Sequence, residues 1–214
     1  MNFDFTDDQQ AIKRTANELL AARFKPERVR ELAEAGAYDD DAWKEMCELG
    51  WAGIFIGEEH GGQGLGVVEL VILMEEMGYA LAPSPFFSNA AAGLLIQHAG
   101  SEEQKRKWLP GIASGEERAT VGEVKNGSAP LVPDAEGAAI IVLVDGDSAT
   151  VVEASAAEVE KVDTIDSTRS FASVSARTSA DPCTSALMMI GSSFTPPSAI
   201  CCCKDSRVRR LLLP

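Results

Sequence analysis

Residues 51–85, which read WAGIFIGEEHGGQGLGVVELVILMEEMGYALAPSP, constrain the fold of this chain more than any other segment. An apolar run comes first, four glycines follow within six residues, and a helical pattern then ends in a proline break. This order is typical of a dinucleotide-binding turn, where backbone N–H groups at a helix start hold a pyrophosphate. It is also typical of a tight turn between two packed helices. The choice between the two decides the class of protein.

The spacing of the glycines argues against the dinucleotide-binding turn. Glycines at positions 61, 62, 64 and 66 give G-x-G-x-G, whereas the dinucleotide fingerprint is G-x-G-x-x-G. A carboxylate that holds the ribose should follow about twenty residues later, but residues 79–83 read as the end of a helix. Upstream segments also read as helices rather than as a strand of a parallel sheet. We therefore predict a turn between helices here.

Helical periods and capping residues fill the first half of the chain. Thr6 with Gln9 has capping-box spacing, and Asp39 to Asp41 can cap a later helix. In the fourth helix, an apolar stripe at positions 67, 70, 71, 74 and 77 predicts core packing. Proline is expected to end the sixth helix after Leu109. The predicted helices cover about residues 7–24, a short segment from 26, 40–49, 66–79, 86–98 and 102–109.

Short β-like runs replace the helical pattern from about residue 118. Residues 138–144 (AAIIVLV) and 149–152 flank a strong Asp-Gly-Asp turn signal and predict a hairpin. Alternation near 159–165 and 171–174 predicts two more strands. The fold class is therefore α+β: an N-terminal all-α helical domain over residues 1–117, then a small antiparallel β-domain over 118–176.

Charge divides the chain at the same point where composition changes. Residues 1–176 carry 14 Lys and Arg against 31 Asp and Glu, whereas residues 177–214 carry 5 against 2. A chain with a net charge of −14 lacks the basic face that nucleic acid requires, and anionic membranes are disfavoured for the same reason. No secretory signal and no span-length apolar run are visible. We expect a cytoplasmic protein without nucleic acid or membrane partners.

Residues 177–214 form the part of the sequence with no convincing helix or strand period. Four of the five cysteines lie there, at 183 and 201–203, but adjacent cysteines cannot all turn toward one metal ion. No metal site is predicted. The segment is expected to be an irregular, disordered tail, as a shifted reading frame would produce.

Two runs of sequence resemble the acyl-CoA dehydrogenase flavoprotein family. Residues 43–64 (WKEMCELGWAGIFIGEEHGGQG) are similar to the family's helix ending in Leu-Gly, its apolar stretch and its acidic pair before the glycines. Residues 100–116 (GSEEQKRKWLPGIASGE) are similar to the end of the family's helical domain. Both matches are in order, and together they cover roughly residues 3–120.

This resemblance implies an oxidoreductase acting on the CH–CH group of acyl-CoA thioesters in fatty acid or steroid side-chain degradation. Family members have a helical domain, a middle β-domain and a C-terminal bundle, with FAD between the last two. A glutamate removes the α-proton while the β-hydrogen leaves as hydride to the flavin, which requires a polarised carbonyl and exclusion of water. The resemblance also implies homo- or hetero-oligomers with a dehydrogenase subunit.

The sequence departs from the family pattern in the middle domain and after it. Residues 120–130 (TVGEVKNGSAP) stand where the family has Thr-Glu-Pro and Gly-Ser-Asp, and a hairpin arm is missing. This compression, with the segment 166–169 (DSTR), is similar to divergent subunits of actinobacterial heteromeric dehydrogenases. The family's bundle, which carries the catalytic glutamate, should begin near residue 181, where the irregular tail stands instead. No glutamate follows Glu160, so the resemblance assigns no catalytic residue here, and the cofactor-binding residues are unknown.

Two functional hypotheses follow from these departures. The first is an acyl-CoA dehydrogenase-like flavoprotein that is truncated, inactive alone and unable to retain FAD stoichiometrically. The alternative is a non-catalytic partner subunit or remnant that packs against a full dehydrogenase subunit.

Other titratable residues are better explained by structure than by catalysis. His60 occupies the family's aromatic-or-histidine position before the glycines, and His98 lies at a helix end where it complements the helix dipole. Glu75 and Glu76 are adjacent in a helix and therefore diverge, which disfavours a shared-proton dyad. The basic run 105–107 is expected to be a solvated helix face. No serine or cysteine lies in a nucleophile elbow.

Overall fold

The computed structural model describes residues 4–176 and 188–190, and it confirms the α+β fold class. Local capping explains the helix starts. The Thr6 hydroxyl accepts a hydrogen bond from the Gln9 N–H at 3.2 Å, and Asp39 accepts one from the Ala42 N–H at 3.0 Å. The described helices are α1 Asp7–Arg23, α2 Pro26–Ala35, α3 Asp40–Glu48, α4 Val67–Tyr79, α5 Phe86–Ala99 and α6 Glu102–Ser114.

Helix α6 continues past the proline that was expected to end it. Pro110 lies inside the helix, which reaches Ser114 and stops at Gly115 in the left-handed conformation. A proline removes one backbone hydrogen bond from a helix interior. Ile112 and Ala113, which follow it, are buried in the core, and the Trp43 Nε1–H donates to the Gly115 carbonyl at 3.2 Å. Tertiary packing therefore outweighs the local helix-breaking preference.

The glycine segment is a compact turn that bonds to its own apolar run. The Gly64 N–H donates to the Ile56 carbonyl at 2.8 Å, and the Gln63 N–H donates to the Gly53 carbonyl at 3.0 Å. Gly62 lies so close to this run that an added Cβ would meet the Ile56 carbonyl oxygen at 2.1 Å. Because these N–H groups are used within the turn, they are not available to a phosphate. The predicted turn between helices is confirmed.

Helix α4 is rotated relative to the predicted apolar stripe. Leu70 and Met77 are buried as expected, but Val67 and Val71 are each 54% exposed. Helix α1 packs on the side of α4 that carries Glu69 and Glu76. The prediction for Val67 and Val71 was wrong because α4 is apolar on most of its circumference, so hydropathy alone does not select its buried side.

Two small sheets follow the helices in the described part of the chain. The strands are β1 Ala119–Glu123, β2 Ala129–Pro133, β3 Ile140–Asp145, β4 Ser148–Glu153, β5 Ala157–Lys161, β6 Phe171–Ala176 and β7 Met188–Ile190. One sheet has the strand order β1-β3-β4-β7 and the other β2-β6-β5. Every described pair is antiparallel except β1 and β3, which run parallel because the intervening β2 joins the other sheet.

The predicted hairpin is β3 and β4, which pair from Ile140 opposite Glu153 to Asp145 opposite Ser148. Strand β5 ends at Lys161, earlier than the predicted 165. The sequence did not predict β1 and β2 as separate strands, because neither shows an alternation of apolar and polar residues. Strand β7 lies within the range 177–214 that was expected to be irregular, and the rest of that range lies outside the described residues.

The core continues from the helices into the first sheet. Ala119, Ile140, Val142 and Val151 pack with the buried residues of the helices, while a second cluster lies between the two sheets. The helical layer and the first sheet therefore share one apolar interior.

Candidate functional site

A buried carboxylate joins the helical part of the chain to the β part. Asp134 lies between β2 and the following turn in the left-handed conformation, and it is almost inaccessible to solvent. Its carboxylate accepts hydrogen bonds from the hydroxyls of Tyr38, before α3, and Ser88, on α5. Its own N–H donates to the Ser170 carbonyl at 2.8 Å. We call this set, with Arg169, the domain seam.

Tyr38 is the second polar centre of the domain seam. Its hydroxyl oxygen accepts a hydrogen bond from the Ser170 N–H at 3.0 Å while its proton is donated to Asp134. Burial, and then the negative charge of Asp134, raise the pKa of Tyr38 well above its usual value. Tyr38 therefore remains a neutral hydrogen-bond donor, which is what a buried carboxylate requires of a partner.

Arg169 provides the positive charge of the domain seam. Its Nη2 lies 3.7 Å from Asp134 Oδ2, and its guanidinium lies over the rings of Phe87 at 5.1 Å and Phe171 at 5.7 Å. Cation–π contacts of this kind hold a guanidinium in a fixed plane. The segment 166–169, which resembles divergent family subunits, thus places the Arg169 side chain at the domain seam.

Two further buried contacts reinforce the same boundary. Asn89 accepts a hydrogen bond from the Ala119 N–H at 2.9 Å and donates one to the Ile112 carbonyl at 3.3 Å. It therefore links α5, α6 and β1. The Thr120 hydroxyl donates to the Pro133 carbonyl, which ties β1 to β2.

The chemistry available at the domain seam is positioning rather than proton transfer. Both oxygens of Asp134 already accept hydrogen bonds, and Tyr38 is held protonated. Neither group is free to abstract a proton from a substrate. Sequence reasoning missed Tyr38, Ser88 and Asp134, since no local motif surrounds them and 96 residues separate Tyr38 from Asp134.

The two histidines have structural positions. His60 is buried at the end of the short 3-10 helix Glu58–His60, just before Gly61 in the left-handed conformation. His98 is exposed in the last turn of α5. The two lie on different elements and form no acid–base pair in the described structure.

Glu75 and Glu76 diverge as predicted. Glu75 is 60% exposed and pairs with Lys13 at 3.0 Å, whereas the Glu76 side chain is 7% exposed. The buried Glu76 carboxylate accepts a hydrogen bond from Asn17 at 2.9 Å. They do not share a proton.

The basic run 105–107 is occupied by contacts within the chain. Lys105 pairs with Glu102 at 2.9 Å, and Arg106 donates to the Glu102 carbonyl at 3.2 Å. Lys107 pairs with Glu153 at 3.1 Å and lies over the Trp108 ring. These cations are not gathered toward a phosphate.

The described residues contain no reactive cysteine and no metal site. Burial raises the pKa of the Cys47 thiol to about 11, so Cys47 remains protonated and unreactive. The cysteines at 183 and 201–203 lie outside the described residues. Across 4–176 and 188–190, no group of three or more potential ligands could hold a metal ion. Within those ranges, no helix has the length and hydropathy that a bilayer crossing requires.

Comparison with known proteins identifies the family. Residues 6–116 match the family model described as acyl-CoA dehydrogenase, N-terminal domain. The chain is 33% identical to acyl-CoA dehydrogenase FadE12 of Mycobacterium tuberculosis over 116 residues, which cover 53% of this chain and 30% of FadE12. It is 30% identical to acyl-CoA dehydrogenase IpdE2 of Mycolicibacterium smegmatis over 171 residues, which cover 79% of this chain and 52% of IpdE2.

The fold is similar to that of solved structures, among them butyryl-CoA dehydrogenase from Megasphaera elsdenii, with a TM-score of 0.67 at 19% identity over 82% of this chain and 57% of that chain. A crystal structure of the ChsE4-ChsE5 complex from Mycobacterium tuberculosis superposes with a TM-score of 0.72 at 20% identity, over 82% of this chain and 55% of that chain. The chain spans about half the length of IpdE2 and less than a third of FadE12. A matched helical domain, two ordered sequence signatures and this common fold show that the chain belongs to the acyl-CoA dehydrogenase family.

Proposed function

We propose that this chain supplies the helical and middle domains of a FAD-dependent acyl-CoA dehydrogenase and does not catalyse dehydrogenation alone. The observation that carries the proposal is the domain seam. Buried contacts from Tyr38 and Ser88 to Asp134 fix the two layers in one arrangement, while its groups leave no free base. In this proposal the domain seam positions the two layers and does not itself supply the base.

Family membership implies FAD, and the resemblance implies that the middle domain would meet the flavin at residues 120–130, which run from β1 into β2. Here the Thr120 hydroxyl donates a hydrogen bond to the Pro133 carbonyl, and Glu123 forms an ion pair with Lys125 at 3.0 Å. Leu131, exposed on β2, offers no hydrogen bond. The buried side-chain atoms without a partner in the described structure, Gln97 Oε1 and Trp108 Nε1, belong to α5 and α6 instead.

The side chains of β1 and β2 therefore offer a flavin few free partners. An isoalloxazine ring needs several donors and acceptors along its polar edge, and here the Thr120 hydroxyl and the Glu123 carboxylate already have partners within the chain. We infer that stoichiometric FAD binding requires residues from elsewhere in the assembly. The substrate class remains that of the family, an acyl-CoA thioester of a fatty acid or steroid side chain.

The alternative function is a non-catalytic partner that packs against a full dehydrogenase subunit. It is favoured by the exposed apolar side of α4, where Val67, Val68 and Val71 are each about half exposed, and by the exposed Leu65 just before this helix. Contiguous apolar surface of this kind is typical of protein interfaces. The chain would then form a hetero-oligomer in which only the other subunit carries out the oxidation.

One experiment tests the proposal and separates it from the alternative. The purified chain is scanned for flavin absorbance and assayed with acyl-CoA and a dye acceptor, alone and with a co-expressed dehydrogenase subunit. We expect a colourless, inactive chain that raises the flavin content and turnover of its partner. Binding without any change in partner turnover favours the non-catalytic role. A yellow chain that reduces the dye alone contradicts both.

A further inference from the structure

A cavity of about 560 Å³ opens between the C-terminal ends of α1 and α4 and the beginning of α2. Its apolar lining includes Leu20, Phe24 and Val29, which are buried and expose little surface to it, and the exposed Tyr79 and Leu81. The volume lies within the range of about 300–1,000 Å³ that is common for small-ligand sites. It shares no residue with the domain seam, so its role is separate from the proposed function.

Two cations line this cavity without a partner. Lys25 and Arg30 are exposed, and their side chains make no hydrogen bond or ion pair within the described part of the chain. Neighbouring cations behave differently, since Arg23 pairs with Glu45 at 2.6 Å and Arg28 pairs with Asp39 at 3.1 Å. In a chain with a net charge of −14, unpaired cations beside an apolar cavity favour an anionic ligand.

The acidic side chain that lines the cavity, Glu76, already has partners within the chain. Glu76 and Asn17 both line the cavity, and the Glu76 carboxylate accepts a hydrogen bond from Asn17 at 2.9 Å. Lys13 lies 3.5 Å from the same carboxylate and also pairs with Glu75 at 3.0 Å. These partners weaken the attraction of Glu76 for a cationic head group.

The rim of the cavity carries a residue in an unfavourable backbone conformation. Leu81 has a φ of +49°, and its side chain lines the cavity while remaining 66% exposed. Glycine is the usual residue at this left-handed position after a helix. A leucine there costs about 1–2 kcal/mol and extends the apolar wall to the surface, beside the highly exposed Tyr79. Strain of this kind is commonly retained at ligand sites.

We propose that this cavity binds a medium-chain alkyl carboxylate, with the alkyl chain against Leu20, Phe24 and Val29 and the carboxylate between Lys25 and Arg30. The apolar lining supplies the hydrophobic contribution, and the two cations select the anionic head group. The proposal needs no residue of the domain seam, so it stands or falls separately from the proposed function.

Calorimetric titration of the full 214-residue chain with sodium decanoate tests the proposal. Decanol and decyltrimethylammonium, all probes being kept below their micelle concentrations, serve as neutral and cationic ligands. We expect saturable decanoate binding and at least about tenfold weaker binding of the other two probes. Equal affinity for all three, or no saturable decanoate binding, overturns the proposal.

Variants then locate the site. Lys25→Glu with Arg30→Glu should weaken decanoate binding about tenfold or more, and Ala21→Trp, which fills the cavity from α1, should abolish it. Lys44→Glu, an exposed cation on α3, is the matched control and should bind as the wild type does. Circular dichroism confirms that each variant is folded. Unchanged binding in the folded Ala21→Trp variant contradicts this location, and the comparison of probes remains decisive if a variant fails to fold.

Discussion

The Ser88 hydroxyl on α5 donates a hydrogen bond to the Asp134 carboxylate, 46 residues further along the chain and in the β layer. With Tyr38, it converts the boundary between two layers into a buried polar contact. Such contacts stabilise little over an apolar pair, but breaking one side leaves the other side unpaired. The domain seam therefore fixes one relative arrangement of the layers more than it adds to overall stability.

Replacement of Asp134 should destabilise the protein strongly. Asp134→Ala leaves the hydroxyls of Tyr38 and Ser88 and the Arg169 charge without their acceptor, which we expect to lower the free energy of unfolding by about 2–4 kcal/mol. Asp134→Asn should cost less, since asparagine also tolerates the left-handed conformation. Urea unfolding measures both, with Asp147→Ala, in an exposed turn, as control. If Asp134→Ala lowers the free energy of unfolding no more than the control does, the assigned structural role of the domain seam is wrong.

The N-cap of α3 should give a pH-dependent contribution to stability. The Ala42 N–H, followed by Arg28, holds the pKa of Asp39 below its ordinary value of 3.8. Because the folded-state pKa is lowered, the stabilisation is fully present above the unfolded-state pKa and is lost as pH falls through the folded-state pKa. At neutral pH the free energy of unfolding of the wild type should therefore be about 1 kcal/mol larger than that of the Asp39→Ala variant.

That difference should shrink only in the acid range, below a pH of about 4. Urea unfolding of both proteins across this range measures it. Asp147→Ala again serves as the control, since its difference from wild type should not follow this profile. A difference that stays constant through the acid range, or that grows as pH falls, contradicts the assigned role of the Asp39 charge.

The elements that the sequence predicted well are those whose signals are local. The Thr6 cap, a cap within Asp39–Asp41 and a turn at Asp145–Asp147 each depend on residues within a few positions. All three are present, with Asp39 as the cap of α3. The domain seam depends on residues that are far apart in sequence, and a single chain gives no sign that Tyr38 and Asp134 meet. Its hydrogen bonds are set by packing of whole layers, which local propensity does not encode.

The orientation of α4 is testable because hydropathy alone predicted it incorrectly. Val71 was expected in the core and is 54% exposed, whereas Leu73 is fully buried. Val71→Ser should therefore change the free energy of unfolding by no more than about 0.5 kcal/mol. Leu73→Ala should cost about 2–5 kcal/mol because it leaves a cavity in the core. Urea unfolding measures both variants. An equal loss of free energy of unfolding in the two would support burial of Val71, as the sequence predicted.

Two glycines with opposite surroundings test the compact turn at residues 51–66. At Gly62 an added Cβ would meet the Ile56 carbonyl oxygen at 2.1 Å, whereas at Gly78, in α4, it would meet nothing within 4 Å. Gly62→Ala should therefore lower the free energy of unfolding by at least about 2 kcal/mol, as backbone shifts relieve the overlap. Gly78→Ala should raise it by about 0.5–1 kcal/mol, since alanine favours a helix interior.

Thermal and urea unfolding of both glycine variants give the comparison directly. A turn that held a ligand in its backbone groups would have room above Gly62, and alanine would then cost little there. A Gly62→Ala protein as stable as wild type would therefore reopen the dinucleotide-binding interpretation of this segment. The expected loss at Gly62, with a gain at Gly78, supports a turn whose glycines serve the packing of the apolar run against the helices.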